Sequence, residues 1–156
     1  MKPCLKLIWV VLKHKWFVLI AGRRLKVPLW RLLVHDLSKF SPAEFGPYAR
    51  HFYGKPGFGD PALFDQAWVH HKLCNQHHWE HWCSRLADGE AFPMPLVCVR
   101  EMIADWLAAG KAYNGAWPDL ANFTWYKANR AKMRLHAITA ARVKTALAEA
   151  SKWATF

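Results

Sequence analysis

Apolar residues recur at helical spacing along nearly the whole chain, and no segment alternates with the period of two that a strand would show. In residues 4–22 they fall on both sides of a helix. Leu5, Ile8, Trp9, Leu12, Trp16 and Leu19 form one face, and Leu7, Val10, Val11, Phe17, Val18 and Ala21 the other. A helix apolar nearly all round is expected to lie buried at the centre of a fold. Gly22 is expected to close it, and His14 sits in the middle of the second apolar face.

A second helix is predicted over 28–39, with Pro28 suited to its first turn. Ser41-Pro42-Ala43-Glu44 reads as a capping box opening a short helix to about Phe52. Residues 54–61 are loop-like in composition. Residues 61–87 form either one long helix or two broken near Asn75, ended by Asp88-Gly89. Pro95 is expected to open a helix stopped by Gly110, residues 111–123 to form a loop, and Thr124 to cap a last helix reaching Lys152. The pattern predicts an all-α, single-domain helical bundle over residues 1–156.

Composition agrees with a packed globule: 53 % of residues are hydrophobic and ten are tryptophan. The four cysteines stand apart without a C-x-x-C pair, which argues against a disulfide framework and points to a reducing cytoplasm. Lys13-His14-Lys15 interrupts the N-terminal apolar runs, and neither run reaches the roughly 18 residues of a span. Membrane insertion and export are therefore not expected.

The net charge is +11. Residues 1–40 carry nine Lys/Arg against one acid, Asp36, and residues 125–156 carry seven against one, Glu149. Basic flanks suit an anionic partner, either a nucleotide-like small molecule or nucleic acid, and they also keep an aromatic-rich protein in solution. The aromatic surplus leaves room for a homodimer.

Nine histidines change the picture more than the charge does. His70, His71, His77, His78 and His81 fall within twelve positions, and His35 stands directly before Asp36. Imidazole and carboxylate together bind borderline divalent metals, and water held by such ions is a nucleophile near neutral pH. On a helix, His35 and Asp36 project about 100° apart, with Lys39 reaching the same side. In the cluster, His70 and His77 share one row with Cys74, while His71 and His78 share the next with Asn75. One straight helix cannot aim all of them at one ion. Two or three are expected as ligands, and the rest, with Asn75, as supporting donors or substrate contacts. Asp105 borders an apolar face one turn after Glu101, either as a ligand or as half of a surface pair. In the last helix Asn129 and His136 interrupt an apolar seam, to meet a substrate or to hydrogen-bond within the core. Lys127, Arg130 and Arg134 run beside that seam as phosphate contacts or as a solvated face.

The order His14, His35-Asp36, the His-rich segment and Asp105 resembles the HD-domain superfamily of metal-dependent phosphohydrolases. H-D-L-S-K-F-S-P-A-E-F, H-H-x-x-x-N-x-H-H-W-E-H-W and R-E-M-I-A-D-W look like a small family of phage and bacterial domains of unknown function. The HD resemblance implies that His14, His35, Asp36 and Asp105 hold one metal. Asp36 would bridge to a second ion, bound by His71 and one of His77 or His78. One or two divalent ions are implied, drawn from Mn, Fe, Zn, Co, Ni and Mg. Lys39 would neutralise a phosphate oxygen, and Glu44 is either a proton shuttle or merely part of its capping box.

The expected activity is phosphoester hydrolysis on a nucleotide-type substrate. The alternatives are an HD-fold di-iron oxygenase and a non-catalytic, basic nucleic-acid-binding protein. Removal of the Asp36 carboxylate is expected to abolish metal loading and leave folding intact.

Overall fold

Prolines mark where most of the helices begin. Pro3, Pro42 and Pro61 occupy the first helical positions of α1 (Pro3–Arg24), α3 (Pro42–Tyr53) and α4 (Pro61–Cys74). A missing backbone N–H costs nothing there. Pro28 and Pro95 stand just before α2 (Leu29–Val34) and α5 (Leu96–Asn114). The remaining helices are α6 (Thr124–Asn129) and α7 (Ala137–Ala150), and 3-10 turns cover Leu37–Phe40, Trp79–Trp82 and Arg130–Lys132. The computed structural model describes residues 2–86, 89–120 and 122–152. Among these residues there is no strand, only an isolated bridge between Cys83 and Ala91. All four cysteines are free.

α1 is the axis of the bundle, packing on α5 and α3, while α4 covers α3 and α7 covers α5. Its buried residues are Leu7, Val11, His14, Val18, Ala21 and Gly22, a single stripe at helical spacing. Leu7 and Val11 join Tyr48, Ala49 and Ala67 in a small core. Val18 and Ala21 join Met102, Ile103, Leu107, Val143 and Ala146 in the main one. His14 stands on the stripe between them. The expectation of a helix buried all round is corrected: Leu5, Trp9, Leu12 and Trp16 are exposed.

Several boundaries move for physical reasons. Gly22 does not stop α1. A Cβ there would lie 2.3 Å from Leu32 Cδ2, so the glycine lets α2 close on α1. Gly110 likewise lies inside α5, against Pro118, and the helix ends instead at Gly115, whose φ of 78° is left-handed. The helix predicted over 28–39 breaks after Val34. Ser41 makes no side-chain cap, so the capping box does not form. The 61–87 segment breaks at Asn75, and the chain continues as a turn and a 3-10 segment rather than a second α-helix. Its expected stop at Asp88 lies outside the described residues. The long C-terminal helix is two: Phe123 rather than Thr124 precedes α6, and His136 caps α7, its ring accepting from Ile138 N.

Candidate metal centre

The break after α2 builds the centre. His35 leaves the helical region at ψ 128°, and Asp36 adopts a left-handed φ of 58°. Aspartate tolerates that backbone better than most residues. His35 and Asp36 therefore do not share a helix, yet both side chains turn inward and are buried. Lys15 donates to the carbonyls of Leu33 and His35, satisfying the frayed end of α2. α1 contributes His14 and α5 contributes Asp105. His71 lies in the last turn of α4. Asn75 Nδ2 then donates to His71 O at 2.8 Å and to Ser38 Oγ at 2.7 Å, holding the bend that returns His77 and His78 to the same place.

The result is two groups of potential ligands that share one carboxylate. His14, His35, Asp36 and Asp105 form the first; Asp36, His71, His77 and His78 form the second. His14 Nε2 lies 2.9 Å from Asp105 Oδ1 and 3.8 Å from Asp36 Oδ2. His35 Nε2 lies 3.5 Å from Asp105 Oδ1 and 3.7 Å from Asp36 Oδ1. Asp36 Oδ1 is also 3.4 Å from His71 Nε2 and 3.5 Å from His77 Nε2. Two donors each about 2.1 Å from one ion stand roughly 3.0–3.5 Å apart, so most of these separations suit shared coordination.

Hydrogen bonding supports the same view. His14 Nε2, His35 Nε2, His77 Nε2, His78 Nε2 and Asp36 Oδ1 are all buried without a hydrogen-bond partner. Even the 2.9 Å approach of His14 to Asp105 lacks the alignment of a hydrogen bond. Buried polar atoms are normally satisfied, and five unsatisfied ones facing a common space call for a cation. The donor chemistry fits a divalent ion, with nitrogen and carboxylate oxygen mixed.

Behind the imidazoles stand two further carboxylates. Glu101 Oε1 accepts from His35 Nδ1 at 3.1 Å and lies 3.5 Å from His77 Nδ1, while its Oε2 is held by Arg31 Nε at 2.7 Å. Glu44 Oε2 accepts from His71 Nδ1 at 2.8 Å, and its Oε1 from His70 Nδ1 at 2.7 Å. Carboxylates on Nδ1 orient the rings so that Nε2 faces inward. Burial opposes charge on Glu101, but hydrogen bonds from His35 and His77 hold its carboxyl far below the usual range. Burial also works against a charged His35. The Asp36 charge, the nearby Asp105 carboxylate and the Glu101 hydrogen bond outweigh it and lift the ring to about 9. Burial and the neighbouring His77 push His78 well down, keeping it neutral.

The structure brings His14, His35, Asp36, His71, His77, His78 and Asp105 together. His70 is corrected as a candidate ligand: its ring is 40 % exposed and is tied to Glu44, outside both groups. Glu44, expected as a proton shuttle or a capping residue, is fully buried with its two oxygens engaged by His70 and His71. Asn75, expected as a substrate contact, holds the bend through Ser38 and the His71 carbonyl. The Lys39 ammonium rests on Asp36 Oδ2, so its charge serves that carboxylate first. Glu101 is the functional residue that periodicity did not single out. Its position one turn before Asp105 was the available signal, but the same spacing also fits a surface pair.

A cavity of about 730 Å³ opens beside the centre, with Asp105 and His78 in its wall. Trp68, Trp79, Trp106, Trp117, Trp125, Tyr113 and Phe123 supply aromatic surface, and Glu80 and Asp119 add carboxylates. None of the described lining residues is Lys or Arg. Lys127, Asn129, Arg130, Arg134 and His136, expected as substrate contacts, are not among the lining residues of this cavity. Lys127 binds Asn122, Asn129 bonds back to Trp125 O, and His136 caps α7. The break between α6 and α7 dissolves the seam on which Asn129 and His136 were aligned.

No helix among the described residues is long and apolar enough to cross a membrane. No curated protein and no solved structure matches the chain. Residues 6–149 match the family of unknown function DUF5662, and the chain belongs to that family.

Proposed function

We propose that this protein is a metal-dependent phosphohydrolase with an HD-like helical site, acting on a phosphoester whose organic part carries a planar ring. The observation that carries this reading is Asp36, a buried carboxylate common to two ligand groups in which five buried atoms have no hydrogen-bond partner. The order of those ligands along the chain matches the resemblance to HD phosphohydrolases. Five imidazoles favour Mn, Fe, Co, Ni or Zn over Mg, which prefers oxygen.

His14, His35, Asp36 and Asp105 would hold one ion, and Asp36, His71, His77 and His78 the other. Two such ions supply an activated water near neutral pH and neutralise charge on a phosphoryl group. Glu101 and Glu44 keep the histidine rings aimed, and Lys39 keeps the Asp36 carboxylate in place. The aromatic walls would stack a nucleobase-like ring and exclude water from the reacting end. Glu80, half-buried in the wall with Oε2 unpaired and its carboxyl pushed up by burial, is suited to hold a proton for the leaving oxygen. With no Lys or Arg among the described wall residues, the counter-charge for phosphate would come from the ligand centre.

The test is metal analysis of protein purified without chelator, then phosphate release from a panel of nucleotides and aryl phosphoesters. Two transition-metal ions per chain and chelator-sensitive hydrolysis are expected. Metal-free protein that hydrolyses nothing after reloading would overturn the reading. Iron-dependent oxygen consumption without phosphate release would replace it with the oxygenase alternative.

A further inference from the structure

The stripe of α1 opposite the metal centre has no partner. Leu5, Trp9, Leu12 and Trp16 succeed one another at helical spacing, and each is more than half exposed, Trp9 at 63 % and Trp16 at 60 %. α2 packs along α1, pinned by Lys15 on the carbonyls of Leu33 and His35, and adds exposed Trp30 and Leu33. Soluble monomers rarely expose apolar surface on this scale. Exposed tryptophans on two helices packed together, Trp9 and Trp16 on α1 and Trp30 on α2, are the composition of a membrane–water interface, where an indole sits between apolar chains and headgroups.

The charge around the patch decides between occupants. Residues 2–40 carry nine Lys/Arg and a single acid, Asp36, which is 1 % exposed and turned to the opposite side of α1. Arg31 and Lys39 are committed to Glu101 and Asp36, and Lys13 and Lys15 to backbone carbonyls. The exposed cations are Lys2, Lys6, Arg23, Arg24 and Lys26. The surface of this segment is therefore apolar and cationic, with no exposed carboxylate. A twofold dimer through the patch would bring like-charged segments together with no exposed carboxylate of either segment between them. A bilayer with anionic headgroups complements both features, since it accepts the tryptophan and leucine side chains and neutralises the lysines and arginines. The helix cannot span a membrane, so it would lie in the interfacial plane.

We infer that the α1–α2 face is a peripheral membrane-binding surface selective for anionic lipid. The inference is independent of what the metal centre does. It is tested by co-sedimentation of the full chain with vesicles of phosphatidylcholine alone and with roughly one-third phosphatidylglycerol, beside light scattering of the free protein. The expected result is a monomer that sediments with the anionic vesicles, is released by high salt, and ignores the neutral ones. Trp9→Ala/Trp16→Ala should weaken vesicle binding by at least about tenfold, with an unchanged circular dichroism spectrum because both side chains are exposed. Sedimentation with neither vesicle would overturn the inference, and so would equal binding to both. A dimer that dissociates in the double variant, without vesicle binding, would assign the face to a second copy of the chain.

Discussion

Replacing Asp36 by asparagine removes one negative charge at the point where both ligand groups meet, while preserving shape and tolerance of the left-handed backbone. The loss acts in two ways. In metal-free protein the Lys39 ammonium loses its partner. Breaking a buried ion pair from one side costs roughly 3–5 kcal/mol, and the lower end applies because the Lys39 side chain retains 17 % exposure. For a domain of this size each kcal/mol moves the melting temperature by about 2–4 °C, so a fall of roughly 6–12 °C is expected by calorimetry in chelator. That outcome departs from the expectation that folding ignores this carboxylate.

The second effect is on metal. Loss of an orienting group alone costs about 10–100-fold in affinity, so loss of the shared ligand should cost at least about 100-fold at both positions. Metal per chain after dialysis, measured by mass spectrometry, should fall together at both positions rather than by half. Adding Lys39→Met to Asp36→Asn should recover thermal stability without recovering metal. An Asp36→Asn protein that keeps two ions per chain would refute the reasoning.

Glu101→Gln should weaken metal binding by about 10–100-fold, because both His35 and His77 lose their anchor, whereas His70→Ala should leave metal content unchanged; competition with a chromogenic chelator separates the two. For pH, His35 is raised from 6.5 to about 9, so its stabilising charge in metal-free protein is complete below pH 6.5 and lost as pH rises through 9. Metal must displace that proton, so chelated protein should lose stability across that window while metal affinity increases, measured by thermal melts and by proton release on metal addition. Gly22→Ala should cost roughly 1–3 kcal/mol in urea unfolding, since its Cβ would meet Leu32 Cδ2 at 2.3 Å. An unchanged midpoint there would mean that α2 moves freely.

Helical periodicity was enough to determine an all-helical chain, because a stripe recurring every three to four residues can be buried only by a helix. Chemistry-bearing residues were legible for the same local reason. His14 and Asp105 drew attention where they meet an apolar face, His35-Asp36 as an adjacent imidazole and carboxylate, and the resemblance to HD phosphohydrolases joined the four. Their meeting was not visible in the periodicity. It depends on two breaks in helical structure, at His35-Asp36 and at Asn75, where hydrogen bonds to distant residues replace those of a helix. The same limit explains the errors. Gly22 and Gly110 resemble stops in sequence, but each is a close approach set by a residue elsewhere, Leu32 or Pro118. Glu101 and Glu44 look like surface and capping residues until α5 and α3 bring them behind the histidine rings. Which of the two apolar faces of α1 is buried was likewise a tertiary decision: α3 and α5 cover the face that carries His14, and the tryptophans remain outside.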